Sequence, residues 1–145
     1  MQIHMDPYRV LVDVQDADTL DDVNRAIQHK KSLMIYYSPQ CMWCQRMKPE
    51  LIKADKELRK YDLKGQIVSV PPSFIPKIEG HNAISGFPTL VLLDVGGEKK
   101  AEYNSDRTSE QLLAFLVHHG LIQKKRKKRK TKKKRRRTRR STKRR

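Results

Sequence analysis

Cys41 and Cys44 are the only two cysteines of the chain, and two residues separate them. At this spacing one thiolate can attack a disulfide of another molecule, and the second thiol can resolve the mixed disulfide. An apolar run at residues 33–37 precedes the pair and a helical pattern follows it, which predicts a strand leading into a helix. The free N–H groups and the dipole at the start of that helix favour the Cys41 thiolate. We therefore expect Cys41 to attack and Cys44 to resolve.

Apolar side chains recur at helical spacing in the segments that must hold this pair. The helix after the cysteines is expected over residues 41–60, with an inner face of Cys44, Met47, Leu51, Ala54 and Leu58 and a kink at Pro49. An earlier helix is expected to begin with Asp18 or Thr19 as its cap. A capping box at residues 108–111 opens a last helix that should end at Gly120. Its inward side chains are predicted to be Leu112, Leu113, Phe115, Leu116 and Val117.

Runs of β-branched and apolar residues predict the strands. They are expected over residues 8–14, 33–37, 66–70, 89–94 and 99–103, the last two joined by a turn at Gly96 and Gly97. Prolines between residues 71 and 76 should make any helix there short or broken. The order of elements predicts an α/β fold, with a mixed sheet of four or five strands covered by helices on both faces.

Two segments resemble a known family. Residues 36–50 read Tyr-Tyr-Ser-Pro-Gln-Cys-Met-Trp-Cys-Gln-Arg-Met-Lys-Pro-Glu. They resemble the active-site segment of protein disulfide isomerase domains, Phe-Tyr-Ala-Pro-Trp-Cys-Gly-His-Cys-Lys-x-x-x-Pro. Residues 84–90, Ile-Ser-Gly-Phe-Pro-Thr-Leu, resemble the family's cis-proline loop. The resemblance covers residues 8–119 and implies a thioredoxin-like three-layer sandwich with disulfide-exchange activity.

The resemblance also implies roles for residues around the cysteines. Pro88 would follow a cis peptide bond, and Phe87 and Pro88 would contact an extended substrate; a trans proline that enters a strand is the alternative. Arg107, just before the last helix, would support the redox site by favouring the Cys44 thiolate, or it is a solvated loop residue. Met42 and Trp43 give the site an apolar rim, which suits either an unfolded substrate or a permanent partner chain.

Three departures from the family pattern bear on the chemistry. Ile35 stands where the family has a buried acid that carries the proton of the resolving thiol, which puts fast turnover in question. Gln40 replaces the usual tryptophan before the first cysteine. Met42 and Trp43 replace Gly-His, and neither can stabilise a thiolate as a histidine cation does. We therefore expect a less acidic Cys41 and a less oxidising disulfide than in a secretory isomerase.

Charge divides the chain unevenly. Residues 124–145 hold 18 of the 33 Lys and Arg residues and no acid, whereas the other 123 residues carry 15 basic and 16 acidic side chains. We predict a loose lead at 1–7, one domain at 8–123 and a disordered tail at 124–145 that binds nucleic acid through phosphate contacts without sequence preference. An anionic membrane and a nuclear-import receptor are the alternatives. The predicted phosphate-binding residues are Lys124, Lys125, Arg126, Lys127, Lys128, Arg129, Lys130, Lys132, Lys133, Lys134, Arg135, Arg136, Arg137, Arg139, Arg140, Lys143, Arg144 and Arg145.

Other classes of function find little support. The five histidines show no ligand spacing with the cysteines, so no metal is expected, and without a glycine-rich phosphate loop no nucleotide cofactor is expected. No apolar run is long enough for a transmembrane helix. Because neither a signal peptide nor a retention tetrapeptide is visible, we expect a cytoplasmic or nuclear protein, or one packaged in a virus particle.

Two hypotheses follow. In the first, the chain is a thiol–disulfide oxidoreductase that the basic tail tethers to nucleic acid. In the second, it is a structural thioredoxin-like module with little turnover, for example a component of a DNA-virus particle that binds a partner protein and the genome. The Cys-x-x-Cys and the segment Phe87-Pro88-Thr89 favour the enzyme, whereas Ile35 and Gln40 favour the structural module.

Overall fold

The computed structural model describes residues 10–125. In chain order, its elements are β1 (Val12–Asp13), α1 (Ala17–Ile27), β2 (Lys31–Tyr36), α2 (Met42–Leu58), β3 (Tyr61–Leu63), β4 (Gly65–Val70), a 3₁₀ turn (Ile75–Lys77), β5 (Thr89–Leu93), β6 (Lys99–Glu102), α3 (Ser109–His118) and β7 (Ile122–Lys124). Five of the strands form one sheet in the spatial order β1-β4-β2-β5-β6, and β3 pairs with β7 in a separate two-stranded sheet.

Strand β2 lies at the centre of the main sheet and leads to the cysteines. It runs parallel to β4 and antiparallel to β5, and β1 runs parallel to β4. Its side chains alternate between two cores, as the period of a strand requires. Leu33 and Ile35 pack in the core under α2 and α3, while Met34 and Tyr36 pack in the core under α1 and the 3₁₀ turn. The predicted three-layer α/β sandwich with a mixed sheet is therefore confirmed.

The helix α2 has the inner face that periodicity predicts, because all five of its expected inward side chains are buried. Pro49 lies inside the helix. On the same helix the buried carboxylate of Asp55 accepts hydrogen bonds from the backbone N–H groups of Val10, at 2.6 Å, and Leu11, at 2.8 Å. This contact holds the segment before β1 against α2.

The ends of the other two helices differ in part from expectation. The cap of α1 is Asp16, whose side chain accepts from the Thr19 backbone N–H at 2.7 Å, so the prediction of Asp18 or Thr19 was wrong. Thr108 caps α3 by accepting from the Gln111 N–H at 3.2 Å, and Gly120 takes a positive φ of 73° after the helix, as predicted. Val117 is exposed and not inward, because α3 presents only one face to the sheet.

The β3–β7 pair is absent from the predictions made on sequence. Tyr61 pairs with Lys124 and Leu63 pairs with Ile122. This pairing places Lys124 in a strand, one residue beyond the expected end of the domain. At the other end of the chain, β1 is limited to two residues within the predicted strand 8–14, whose first two residues lie outside the described part.

Candidate active site

Cys41 is the N-cap residue of α2. Its extended backbone, with φ −80° and ψ 121°, turns the Sγ atom toward the first helical turn, where it accepts from the Cys44 backbone N–H at 3.4 Å. Serine, threonine, aspartate and asparagine usually fill this position, because their oxygen satisfies a free N–H group. Here the Cys41 sulfur atom accepts the hydrogen bond. Its thiolate form is favoured over the thiol because an anion is stabilised at a helix N-terminus.

The two cysteines are free thiols in different surroundings. Cys44 is fully buried, and burial raises the pKa of its thiol to about 11, although a hydrogen bond from the Ser38 backbone and the charge of Arg107 oppose the rise. Cys41 is partly exposed. Desolvation acts to raise its pKa, but hydrogen bonds from Cys44 and Trp43, with the Arg107 charge, lower it below the ordinary value of 9.0. The pair is therefore polarised, with the accessible thiol the more acidic.

The loop before β5 lies against the attacking thiol. The Phe87–Pro88 peptide bond is cis, as the resemblance implies. The Cys41 Sγ atom and the carbonyl oxygen of Phe87 are 3.5 Å apart. The Thr89 hydroxyl donates to the Gly86 carbonyl at 2.6 Å, which ties the loop to the first residue of β5. Backbone polar groups of this loop thus lie next to the sulfur atom that an incoming disulfide must reach.

Three large apolar side chains surround the thiol on the surface. The exposed fractions are 62% for Met42, 57% for Trp43 and 37% for Phe87. Single exposed apolar residues are common on protein surfaces, but a group of them beside a reactive site indicates a contact surface for another molecule. We call Met42, Trp43 and Phe87 the apolar rim.

An open cavity of about 330 Å³ lies beside this rim, between the first turn of α2 and the loop before α3. Its lining residues are Trp43, Arg46, Met47, Ser105, Asp106 and Arg107. The structure thus brings Arg107 to the site, since its charge acts on both thiols. Arg46 was not singled out from the sequence, although its spacing of three residues from Trp43 places it on the same side of the helix.

Ile35, at the position where the resemblance implies a buried acid, lies on β2, the strand that leads to the cysteines. Ile35 is fully buried on the sheet face that α2 covers. In register with it across the parallel strands lie Ser69 of β4 and then Asp13 of β1. Asp13 is buried, and the Ser69 hydroxyl donates a hydrogen bond to its carboxylate. The face below α2 therefore carries an acid two strands away from Ile35.

Tyr37 lies near enough to this acid and to the resolving thiol for the charge of each to act on it. Burial is the main cause that raises the pKa of Tyr37 to about 12, and the negative charges of Asp13 and Cys44 contribute to the same rise. Sequence reasoning missed Asp13 as part of the site. The signal available was a lone acid inside the apolar run of residues 10–14, on the same strand face as Leu11.

Two of the predicted phosphate-binding residues, Lys124 and Lys125, lie within the described part of the chain. Lys124 is the last residue of β7, and the Lys125 backbone N–H approaches the Lys60 carbonyl at 3.5 Å. The other 16 predicted phosphate-binding residues, at 126–145, lie outside the described part of the chain. The start of β7 is tied to the edge of the main sheet where β2 and β4 begin, because the Lys64 N–H donates to the Leu121 carbonyl at 2.7 Å. The cysteines follow the opposite end of β2.

Among residues 10–125, no group of three or more His, Cys, Asp or Glu side chains is arranged to hold a metal ion. Within that same stretch, no helix has the length and apolar character needed to cross a bilayer.

Known proteins share this architecture. Protein disulfide-isomerase of Hordeum vulgare is 31% identical over 102 residues, which are 69% of this chain and 20% of that protein. The chain therefore spans about a fifth of the length of the curated relatives it matches. Human ERp44 in crystal form I shares the fold, with a TM-score of 0.61 and 19% identity over 79% of this chain and 30% of the other.

A single thioredoxin domain matches over more of its own length. The first thioredoxin domain of mouse protein disulfide-isomerase A4 has a TM-score of 0.51 and 21% identity, covering 72% of this chain and 71% of the domain. The two solved structures, at 19% and 21% identity, show the shared fold, whereas the sequence likeness to the Hordeum vulgare protein disulfide-isomerase supports a thiol–disulfide oxidoreductase in general terms. The sequence profile of the thioredoxin family matches residues 11–118, which include the paired cysteines, the cis-proline loop and all five strands of the main sheet. The chain belongs to the thioredoxin family.

Proposed function

We propose that the chain exchanges disulfides with protein substrates through Cys41 and Cys44. The observation that carries this proposal is the polarised pair, because the exposed thiol receives an N–H hydrogen bond at the start of α2 while its partner is buried one turn further on. A nucleophilic cysteine needs both access and a lowered pKa, and Cys41 has the two together.

In the reducing direction the Cys41 thiolate attacks one sulfur of a substrate disulfide. A bond forms between the two sulfur atoms, the substrate S–S bond breaks, and the departing substrate thiolate takes up a proton. The Cys44 thiol then loses its proton and attacks the Cys41 sulfur, which releases the second substrate thiolate. Two electrons pass to the substrate and a Cys41–Cys44 disulfide remains. The reverse sequence oxidises a substrate dithiol, and turnover needs an external thiol or disulfide.

The second step is the slow one in this proposal. With a pKa of about 11, Cys44 is protonated near neutral pH, so its proton must leave before it attacks. Ile35 cannot accept that proton. The positive charge of Arg107 lowers the pKa of Cys44 and so assists the same step. We infer a mixed disulfide that persists longer than in a relative with a carboxylate at this position.

That long-lived intermediate also supports the second candidate, a structural module that binds a partner with little turnover. In that case the apolar rim would contact a permanent partner chain, and the protein would be, for example, a component of a DNA-virus particle. The two candidates differ in one observable, namely whether Cys41 and Cys44 complete a cycle with a substrate disulfide.

We further propose that the basic segment 124–145 tethers the domain to nucleic acid. Its 18 Lys and Arg residues and lack of acids support phosphate contacts, and its lack of aromatic residues argues against base stacking. An anionic membrane would meet the same charge. The proposed setting is the cytoplasm, the nucleus or a virus particle, each of which can hold such a partner.

A trapping experiment tests the exchange reaction. Cys44→Ser should accumulate mixed disulfides with substrate proteins, because the resolving thiol is gone and Cys41 remains. The matched control is Cys41→Ser. It keeps only the buried Cys44, so it should trap nothing under native conditions. Reduction of insulin disulfides by the unmodified chain measures turnover. Trapping without insulin reduction would favour the structural module, and no trapping with either variant would refute the exchange proposal.

A further inference from the structure

Trp43 and Arg46 form a cation–π pair on the surface of α2. The guanidinium carbon of Arg46 lies 5.1 Å from the centre of the Trp43 ring, within the range of such a contact. A guanidinium group carries five N–H donors, so it can bind an acceptor while its charge lies over the ring. The pair therefore places a positive charge in the lining of the cavity, on the helix that Cys41 caps.

The cavity beside the apolar rim holds a second positive charge. Arg107 lines it from the loop before α3, and Arg46 and Met47 line it from α2. Neither arginine forms an ion pair with another side chain in the part of the chain that the structure describes. Asp106 is the one acid in the lining, so two cations face one carboxylate.

The nearest acid on α2 is already engaged. Glu50 binds Lys53 at 3.1 Å and accepts from the Ser109 backbone N–H at 3.3 Å. Glu50 and Lys53 form a neutral pair, which leaves Asp106 as the acid that opposes Arg46 and Arg107 in the cavity lining. The excess of positive charge next to the thiol matches an acidic ligand and disfavours a lysine or arginine there.

Because any substrate disulfide must come to Cys41, the peptide that carries it passes the apolar rim and this cavity. An extended chain advances about 3.3 Å per residue, so a side chain one to three residues from the reactive cysteine can enter the space. We propose, given the exchange reaction above, that the cavity receives an aspartate or glutamate side chain of the substrate. The preferred substrate is then a peptide segment whose cysteine has an acidic neighbour, with apolar residues against Met42 and Phe87.

Peptide disulfides test this preference on the full-length chain. Each peptide carries one cysteine as a mixed disulfide with a coloured aromatic thiol, and Glu, Gln or Lys two residues before or after it. Release of the coloured thiol by the reduced chain gives a second-order rate constant. We expect the Glu peptide of one series to react about threefold to fivefold faster than its Gln counterpart, the upper part of the range for one exposed ion pair, and the Lys peptide to react slowest.

Matched variants separate the cavity from the general positive charge of the chain. Arg46→Gln should reduce the Glu-to-Gln ratio to below twofold, and Arg46→Lys should keep part of it. Arg25→Gln removes the same charge from α1, on the other side of the sheet, and should leave every rate unchanged. The basic segment 124–145 is present in all of these proteins, so its attraction for acidic peptides cancels in the comparison.

Two results would overturn the inference. One is an equal rate for the Glu and Gln peptides, and the other is a Glu-to-Gln rate ratio that Arg46→Gln leaves unchanged. Both leave the exchange reaction itself intact. Failure to react with any of the peptides would instead refute the proposed function.

Discussion

Replacing Ile35 by glutamate places a carboxyl at the position where the resemblance to disulfide isomerase domains implies a buried acid. Ile35 has no solvent exposure and lies in register between Ser69 on β4 and Leu90 on β5. Its burial contributes about 1.5–3 kcal/mol, of which the two methylene groups of glutamate retain about 1.6 kcal/mol. Burying the carboxyl costs about 1–3 kcal/mol more. Ile35→Glu should therefore lower the free energy of unfolding by about 3 kcal/mol, which a domain of ordinary stability survives.

Ile35→Gln is the matched control, because glutamine has the same shape as glutamate and a similar polarity but cannot act as a base and accept the Cys44 proton. Burial raises the pKa of the introduced carboxyl above the unfolded value of about 4.3. The folded state of Ile35→Glu thus binds more protons than the unfolded state above that pH, so Ile35→Glu should lose stability relative to Ile35→Gln as the pH rises. Urea denaturation at pH 4 and pH 8 measures the difference.

The kinetic outcome is the informative one. Trp43 is the only tryptophan of the chain and adjoins Cys44, so its fluorescence can follow formation of the Cys41–Cys44 disulfide. With excess small-molecule disulfide, ring closure should be at least tenfold faster in Ile35→Glu than in Ile35→Gln, a modest value for general-base catalysis. Equal rates in the two variants would show that proton removal at this position does not limit closure, and our account of the slow step would be refuted.

Three other outcomes follow from contacts and charges described above. The rate of native alkylation of Cys41 by iodoacetamide should rise with pH with a midpoint below pH 9.0, whereas Cys44 should be alkylated only as the pH approaches about 11. Equal labelling of both thiols at pH 7 would contradict the polarised pair. Asp55→Ala should lower the free energy of unfolding by about 2–4 kcal/mol, because it strands the N–H groups of Val10 and Leu11, whereas Asp55→Asn should cost less; urea denaturation measures both. Deletion of residues 126–145 should leave alkylation unchanged and abolish binding to labelled duplex DNA. For the intact chain, about eight phosphate contacts predict a slope near −7 for log affinity against log salt. Binding that persists after the deletion would place the contact surface on the folded domain.

Sequence periodicity predicted the elements whose signal is local. The inner face of α2 was correct in every position, because five apolar residues at helical spacing admit one orientation only. Val117 was misplaced because it lies in a stretch of α3 where apolar residues follow one another, so spacing alone cannot separate the faces. Asp16, two residues before the predicted Asp18, caps α1 because its extended backbone lets its side chain accept from the Thr19 N–H group.

Features that depend on register between distant segments could not be predicted in this way. The β3–β7 pair joins two partly polar strands of three residues each. The residues of neither segment indicate which other segment it pairs with. Asp13 lies in register with Ile35 because β1 pairs with β4 and β4 pairs with β2. The sequence showed that an acid was missing at Ile35, but only the sheet order shows which acid lies in register with it.

The β3–β7 pair also determines where the basic segment leaves the domain. The start of β7 adjoins the sheet edge where β2 and β4 begin, and β2 spans six residues, or about 20 Å, before the chain reaches the cysteines. The point where the segment joins the domain and the thiol of Cys41 therefore lie toward opposite ends of β2, so a polyanion bound next to residue 125 and a substrate held at Cys41 need not compete for space. Anchoring many copies along one polyanion would then raise the local concentration of reactive thiols toward the millimolar range, which favours exchange with neighbouring molecules on the same strand over exchange with free proteins.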